Sequence, residues 1–264
     1  MSNIYMPIKS RILKIIPHTG TDYTFIMEYA GDVKPGQFFE VSIPKYGEAP
    51  ISVSDIGENS IGLTIRRVGA VTNTIHNMKP GDTLFLRGPY GNGFDLDLYR
   101  GQEIIVAAGG TGLAPVKGVV DYFARHRTET KSMTLLAGFK SPEDILFKDD
   151  LKRWQTVIPV TVTVDKSNDS AYQGRTGLIT GYIKDMSISN INDVQVIVVG
   201  PPLMMKFTVA EFLKRGVREE NLIVSYERKM CCGVGKCGHC KMNDTYICLE
   251  GPVFNYARAK DLFD

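Results

Sequence analysis

Residues 103–115 read Glu-Ile-Ile-Val-Ala-Ala-Gly-Gly-Thr-Gly-Leu-Ala-Pro. The run from Glu103 to Ala108 is apolar and strand-length, Gly109, Gly110, Thr111 and Gly112 interrupt it, and Leu113 opens a helical pattern with Pro115 in its first turn. Glycines at such a turn let backbone approach a pyrophosphate, while the helix N-terminus offers N–H groups and a positive dipole end. The pattern is not G-x-G-x-x-G and no ribose-binding acid follows at the usual distance, so a purely structural tight turn stays open beside the nucleotide reading.

Outward from this turn, strand-like runs at 103–108, 132–138, 159–164, 195–199 and 221–226 alternate with helical stretches. One helix is expected over Leu113–Arg127. Another is expected to open at Ser141-Pro142-Glu143-Asp144, with a serine cap, proline at the first helical position and acids in the first turn. Strand–helix alternation predicts a doubly wound parallel sheet over residues 100–227. A second turn, Val199-Gly200-Pro201-Pro202-Leu203-Met204, follows the fourth of these strands and points at the same crevice, because ligands of open α/β sheets bind beyond the carboxyl ends of strands.

Residues 1–99 have a different period. Lys9–Ile16, Thr24–Tyr29, Gln37–Ile43, Ile51–Ser54, Ile61–Val68 and Thr83–Arg87 read as short strands divided by turns such as Lys-Pro-Gly at 34–36 and 79–81. Ile61, Leu63 and Ile65 alternate with Gly62, Thr64 and Arg66, the mark of a strand with one buried face. Six short antiparallel strands predict a small closed barrel, since closure removes exposed edges.

All five cysteines fall between Cys231 and Cys248, which argues against a disulfide framework and for metal binding. Counted from Cys232, the spacing C-x4-C-x2-C-x7-C through Cys237, Cys240 and Cys248 opens with the plant-type [2Fe–2S] pattern. Gly233, Gly235 and Gly238 permit the dihedrals by which a short loop turns its amides toward sulfur. A four-thiolate zinc ribbon is the alternative, although zinc sites usually pair two C-x2-C knuckles. Cys231 and His239 are surplus to the four ligands. Residues 228–264 therefore form a cluster-binding segment and tail.

The net charge of +2 gives no reason to expect a nucleic-acid partner. No apolar run is long enough for a membrane span and the N-terminus lacks a signal-peptide core, so a cytoplasmic location is the expectation.

Taken together, the barrel pattern, the GGTG-x-AP turn and the later GPP-x-M turn resemble the ferredoxin–NADP reductase superfamily. The cysteine-rich extension is similar to the subgroup containing the dihydroorotate dehydrogenase electron-transfer subunit. Gly47–Asp55, Ile104–Gly112, Ala114–Gly118, Val198–Pro202, Gly235–Cys240 and Phe254–Ala257 most resemble the anaerobic sulfite reductase B subunits. The resemblance implies FAD on the barrel, NADH or NADPH on Gly109, Gly110, Thr111, Gly112, Pro115, Gly200, Pro201 and Met204, and a [2Fe–2S] cluster passing electrons to the sirohaem and iron–sulfur subunits of a sulfite reductase. An acceptor such as dihydroorotate dehydrogenase, a hydrogenase or a ferredoxin is the alternative. The superfamily's R-x-Y-S flavin motif falls on Ala49-Pro50-Ile51-Ser52, where the arginine and tyrosine are absent. Pro50, Ile51, Ser52, Val53 and Ser54 then meet the flavin through backbone and hydroxyl groups. Arg66 either replaces the lost guanidinium at the pyrophosphate, beside Gly69, Val71 and Thr72, or is a solvated strand residue. Gly138-Phe139-Lys140 lacks the arginine expected for a 2′-phosphate, which favours NADH, although Lys140 offers a cation for NADPH.

Overall fold

The structure is a computed structural model and describes residues 3–262. The chain divides into two compact units, one running to Phe94 and including Tyr226–Val253, the other comprising Asp95–Ser225 and the residues from Phe254 onward.

In the first unit, β1 (Ile8–Pro17), β2 (Asp22–Glu28), β3 (Phe38–Ile43), β4 (Gly47–Ile56), β5 (Ser60–Arg66) and β6 (Thr83–Tyr90) close into a barrel of order β1-β2-β5-β4-β3-β6, with helix α1 (Ala70–Ile75) between β5 and β6. Every pairing is antiparallel, and β6 returns to β1 to seal the edge. The alternation read from the sequence is the cause: Phe25, Met27, Phe39, Val41, Ile61, Leu63, Ile65, Leu84 and Leu86 all turn into one apolar interior. Burying each such side chain contributes about 1.5–3 kcal/mol, enough in sum to fix the register of the closed sheet.

In the second unit, β7 (Glu103–Gly109), α2 (Leu113–Arg125), β8 (Ser132–Phe139), α3 (Lys148–Gln155), β9 (Val160–Val164), β10 (Arg175–Thr176), α4 (Ile179–Ile183), β11 (Gln195–Val199), α5 (Pro202–Lys214) and β12 (Leu222–Ser225) follow in chain order. The chain then forms a hairpin of β13 (Lys241–Met242) and β14 (Thr245–Tyr246), which belongs with α6 (Ile247–Glu250) to the barrel's unit. It ends in β15 (Val253–Asn255) and α7 (Tyr256–Ala259). The seven-stranded sheet has the order β10-β9-β8-β7-β11-β12-β15 and is parallel from β10 to β12. Strand order runs one way from β7 through β8 and β9 and the other way from β11 through β12, so the switch point lies between β7 and β11. All of β7 is buried, as a central parallel strand covered on both faces requires.

The helix expected to open at Ser141 is a correction. Pro142–Asp144 forms only a 3-10 turn, Ser141 bonds the Glu143 and Asp144 carboxylates rather than a backbone amide, and the helix begins at Lys148. Phe147 has a left-handed backbone, with φ at +52°, which a right-handed helix cannot run through, so the helix starts only after it.

Helices α2 and α3 are joined by a buried ion network. Asp121 accepts from Lys117 Nζ at 2.7 Å, from Arg153 Nη2 at 2.7 Å and from Trp154 Nε1 at 2.9 Å. Burial opposes ionisation of Asp121, but Lys117, Arg153 and Trp154 outweigh it and hold the carboxyl below its ordinary 3.8. A carboxyl held low adds stability that is complete above that ordinary value and disappears as pH falls through the native one. Asp121→Asn is expected to destabilise this unit by about 2 kcal/mol at neutral pH. In Trp154 fluorescence unfolding curves the gap to wild type closes in acid; a gap unchanged from pH to pH would contradict the charged network.

Candidate functional site

Both glycine turns lie at the switch point. Gly109–Gly112 leaves the carboxyl end of β7 and Gly200–Met204 that of β11, and these strands are hydrogen-bonded neighbours. The two turns touch. A Cβ on Gly112 would fall 2.6 Å from the Val199 carbonyl oxygen and 2.7 Å from Gly200 Cα, and one on Gly109 would meet Pro201 and Met204 at 3.2 and 3.3 Å. Glycine is therefore required by close approach and not merely by the turn. Thr111 is half-buried, Pro115 is buried in the first turn of α2, and Pro201 is exposed. Met205 is core, at 2 % exposure, whereas Met204 lies over the turn itself.

On the barrel, Ile51 and Val53 turn toward the apolar interior, so Pro50, Ser52 and Ser54 alternate to the outer side. The Ser54 hydroxyl donates to the Gly62 carbonyl at 3.1 Å and accepts from Thr64 Oγ1 at 2.8 Å. Arg66 projects from the face opposite Ile61, Leu63 and Ile65, and its Nε and Nη2 donate to the fully buried Asp22 at 2.8 and 3.1 Å. Burial opposes ionisation of Asp22, yet Arg66, Thr19 and Thr21 together hold its pKa low. Gly69 caps α1 with open space where a side chain would stand. Val71 packs against the barrel interior, and the Thr72 hydroxyl accepts from the Val68 and Gly69 amides at 3.0 and 2.9 Å. The Thr72 hydroxyl thus closes its own turn instead of reaching outward.

The cysteine loop belongs to the barrel's unit. Gly233, Gly235 and Gly238 have φ of +72°, +68° and +77°, the left-handed region that glycine alone adopts without strain. This winding turns amides onto sulfur. Val234, Lys236 and Cys237 N–H donate to Cys232 Sγ at 3.5, 3.4 and 3.4 Å, Gly235 N–H to Cys248 Sγ at 3.2 Å, and Cys248 N–H to Cys240 Sγ at 3.5 Å. Burial opposes ionisation at Cys232, yet these amides and the Cys237 thiol bring its pKa down to about 6. Burial and the Cys240 thiol push Cys248 up to about 12, with the Gly235 amide opposing. Among the described residues, no three His, Cys, Asp or Glu side chains form a group that could hold a metal ion. Cys240 and Cys248 are buried, Cys232 is half-buried and Cys237 is exposed. Cys231 and His239 are exposed.

Sequence reasoning missed what supports the loop. Arg87, 8 % exposed, donates to the Cys231 and Cys232 carbonyls at 2.7 and 2.5 Å, to Glu48 at 2.9 Å and to the Tyr90 hydroxyl at 3.0 Å. Asn92 binds the far end through its Nδ2, which donates to the Glu250 and Val253 carbonyls at 3.1 and 2.7 Å. The run Arg87-Gly-Pro-Tyr-Gly-Asn92 carried the signal, but it reads as an ordinary strand end followed by a turn. Glu40, cross-strand from Arg87, is fully buried, and among the described residues neither of its carboxylate oxygens has a hydrogen-bond partner. Burial first, then the Glu48 charge, pushes its pKa up to about 7 against the opposing pull of Arg87.

Comparison with known proteins follows the same division. Residues 106–210 match the oxidoreductase NAD-binding domain family, and residues 227–259 match the iron–sulfur cluster binding domain of dihydroorotate dehydrogenase B. The chain is 34% identical to sulfhydrogenase 1 subunit gamma of Pyrococcus furiosus, over 96% of this chain and 92% of that protein. It is 33% identical to a probable dihydroorotate dehydrogenase B (NAD(+)) electron transfer subunit of Methanocaldococcus jannaschii, over 94% of this chain and 89% of that one. The chain belongs to the sulfhydrogenase gamma and dihydroorotate dehydrogenase B electron-transfer subunit family. The chain is thus of an oxidoreductase family, with an NAD-binding region and an iron–sulfur-binding region. The fold is that of a chain in the structure of an NADH-dependent reduced ferredoxin–NADP oxidoreductase, with a TM-score of 0.78, 21% identity and coverage of 97% of this chain and 90% of that one.

These relatives overturn the sulfite reductase partner. The stretches that carried that resemblance are barrel strand, glycine turns and cysteine loop, all of which the fold itself needs, so they hold no information about what docks on the outside. No helix among the described residues is long and apolar enough to cross a membrane.

Replacing Gly112 with alanine is expected to force the two turns apart, at a cost of about 1–3 kcal/mol, and to weaken NADH binding by roughly tenfold or more at 1.4 kcal/mol per decade. Calorimetric titration with NADH checks this, and wild-type affinity in the variant would contradict the shared crevice. Because Glu40 carries a raised pKa, its penalty grows as pH rises from its ordinary 4.5 through about 7. Glu40→Gln should therefore raise thermal stability at pH 8 by up to about 3 kcal/mol and little at pH 5; a pH-independent effect would contradict it.

Proposed function

We propose that this chain is the electron-input subunit of a larger oxidoreductase, oxidising NADH through FAD on the barrel and delivering single electrons through a [2Fe–2S] cluster on Cys232, Cys237, Cys240 and Cys248. The observation that carries the reading is the set of backbone N–H groups converging on Cys232, Cys240 and Cys248 from a glycine-wound loop. Such donors offset the negative charge of a thiolate-bound cluster. The match of residues 227–259 to an iron–sulfur cluster binding domain supports an iron–sulfur group over a zinc ion.

The residues perform distinct tasks. Gly109–Pro115 and Gly200–Met204 bring backbone and the α2 N-terminus to the dinucleotide. On the barrel, Ser52 and the adjacent backbone meet the flavin. Arg66, its orientation fixed by Asp22, meets the pyrophosphate, with Gly69 giving the close backbone approach. The flavin, when bound, supplies the exchange between two-electron and one-electron chemistry that a nicotinamide lacks. Cys237 lies on the exposed side of the cluster loop and so marks the exit. The partner we infer is an oxidoreductase subunit of the hydrogenase or dihydroorotate dehydrogenase kind, since relatives matching over most of their length carry those names. NADH is preferred over NADPH, as β8 ends in Gly138-Phe139-Lys140 without an arginine for a 2′-phosphate.

The test is an anaerobic titration of the purified chain with NADH, followed by visible absorbance and by electron paramagnetic resonance. Wild type should bleach its flavin and then develop the signal of a reduced cluster, while Cys237→Ser should keep the first change and lose the second. A colourless protein carrying zinc would overturn the reading. Mixing the reduced chain with a hydrogenase or with a dihydroorotate dehydrogenase catalytic subunit, and scoring which is reduced, identifies the acceptor.

A further inference from the structure

We propose that Arg87 is the positioning residue of the electron relay, seating the cluster loop on the flavin-binding barrel and raising the cluster's reduction potential. The inference rests on the reading that the four cysteines hold an iron–sulfur cluster and the barrel a flavin. A guanidinium buried to 8 % exposure must have its N–H groups partnered. Two of its partners are the carbonyls of consecutive residues, Cys231 and Cys232, at 2.7 and 2.5 Å, and Cys232 is a ligand. Tyr90, which accepts from Arg87, lies where a Cβ on Gly233 would come within 2.6 Å of its ring.

The remaining partner ties this seat to the flavin strand. Glu48 accepts from Arg87 at 2.9 Å and immediately precedes Ala49–Ser52 on β4. One side chain thus bridges the stretch proposed to meet the flavin and the backbone of a cluster ligand. Both lie in the same compact unit, so the bridge fixes their separation. The charge has its own consequence. Reduction adds one electron, drawn from the reduced flavin with NADH as its source and passed on to the acceptor. A cation held at the Cys232 carbonyl favours that added negative charge, and its ion pair with Glu48 at 2.9 Å offsets part of the effect.

The experiment uses the full chain reconstituted anaerobically with iron, sulfide and FAD, comparing wild type, Arg87→Ala and Arg87→Lys. Arg87→Ala is expected to shift the one-electron reduction equilibrium about tenfold toward the oxidised cluster, ~59 mV. It should also broaden the paramagnetic signal and slow flavin-to-cluster transfer in stopped flow, while flavin reduction by NADH stays at the wild-type rate. Arg87→Lys keeps the charge but cannot span two carbonyls and a carboxylate, so its potential should stay near wild type while its signal broadens. An Arg87→Ala protein with wild-type potential, linewidth and transfer rate would overturn the proposal. If that variant fails to fold, Arg87→Lys decides: a wild-type linewidth and transfer rate in it overturn the proposal, and a broadened, slowed cluster at unchanged potential supports it. Absence of iron from reconstituted wild type overturns instead the reading of the cysteines on which the proposal rests.

Discussion

The cysteine-rich segment has too little apolar sequence to build an interior, and the rest of the candidate relay depends on how that constraint is met. Between Arg228 and Glu250 few side chains are buried, chiefly Cys240, Met242, Ile247 and Cys248. A stretch this small does not fold on hydrophobic burial alone. It takes its order from strand β6 and the turn that follows, where Arg87 fixes one end of the loop, Tyr90 lies beneath Gly233, and Asn92 fixes the other end. Metal binding would then complete a loop that the barrel has already started to shape.

A different constraint governs the nucleotide crevice. Parallel strands β7 and β11 are neighbours because strand order reverses between them, and their carboxyl ends leave a gap that no crossover helix fills. The turns from the two strands meet there at distances only glycine tolerates. Free N–H groups at the start of α2 lie at this point, which suits recognition of a phosphate-bearing ligand. The Asp121 network behind it ties α2 to α3 and so steadies the helix whose N-terminus faces the crevice.

Much of this was legible in the amino-acid order because it is local. Alternation at Ile61, Leu63 and Ile65 marks a barrel strand, and the apolar run ending at Gly109 marks a central parallel one. The C-x4-C-x2-C spacing is visible without a structure. What escaped is backbone conformation and side-chain pairing, some of it local and some of it between residues distant in the chain. Ser141 looks like a helix cap, but the left-handed backbone at Phe147 delays the helix to Lys148. Thr72 looks like a ligand-facing hydroxyl until it is seen to accept from Val68 and Gly69. Arg87 and Asn92 look like a strand end and a turn, since their partners lie more than a hundred residues away. The partner subunit was misread because the matching stretches lie chiefly in a barrel strand, the glycine turns and the cysteine loop, and a docking surface has no such local signature.

The central claim is that Cys232, Cys237, Cys240 and Cys248 hold a two-iron cluster within the barrel's unit. The most direct measurement is the iron and acid-labile sulfide content of the anaerobically purified chain, taken with its Mössbauer spectrum. The account predicts about two irons and two sulfides per chain, with both irons tetrahedral in sulfur. One zinc per chain, or iron without sulfide, would contradict it.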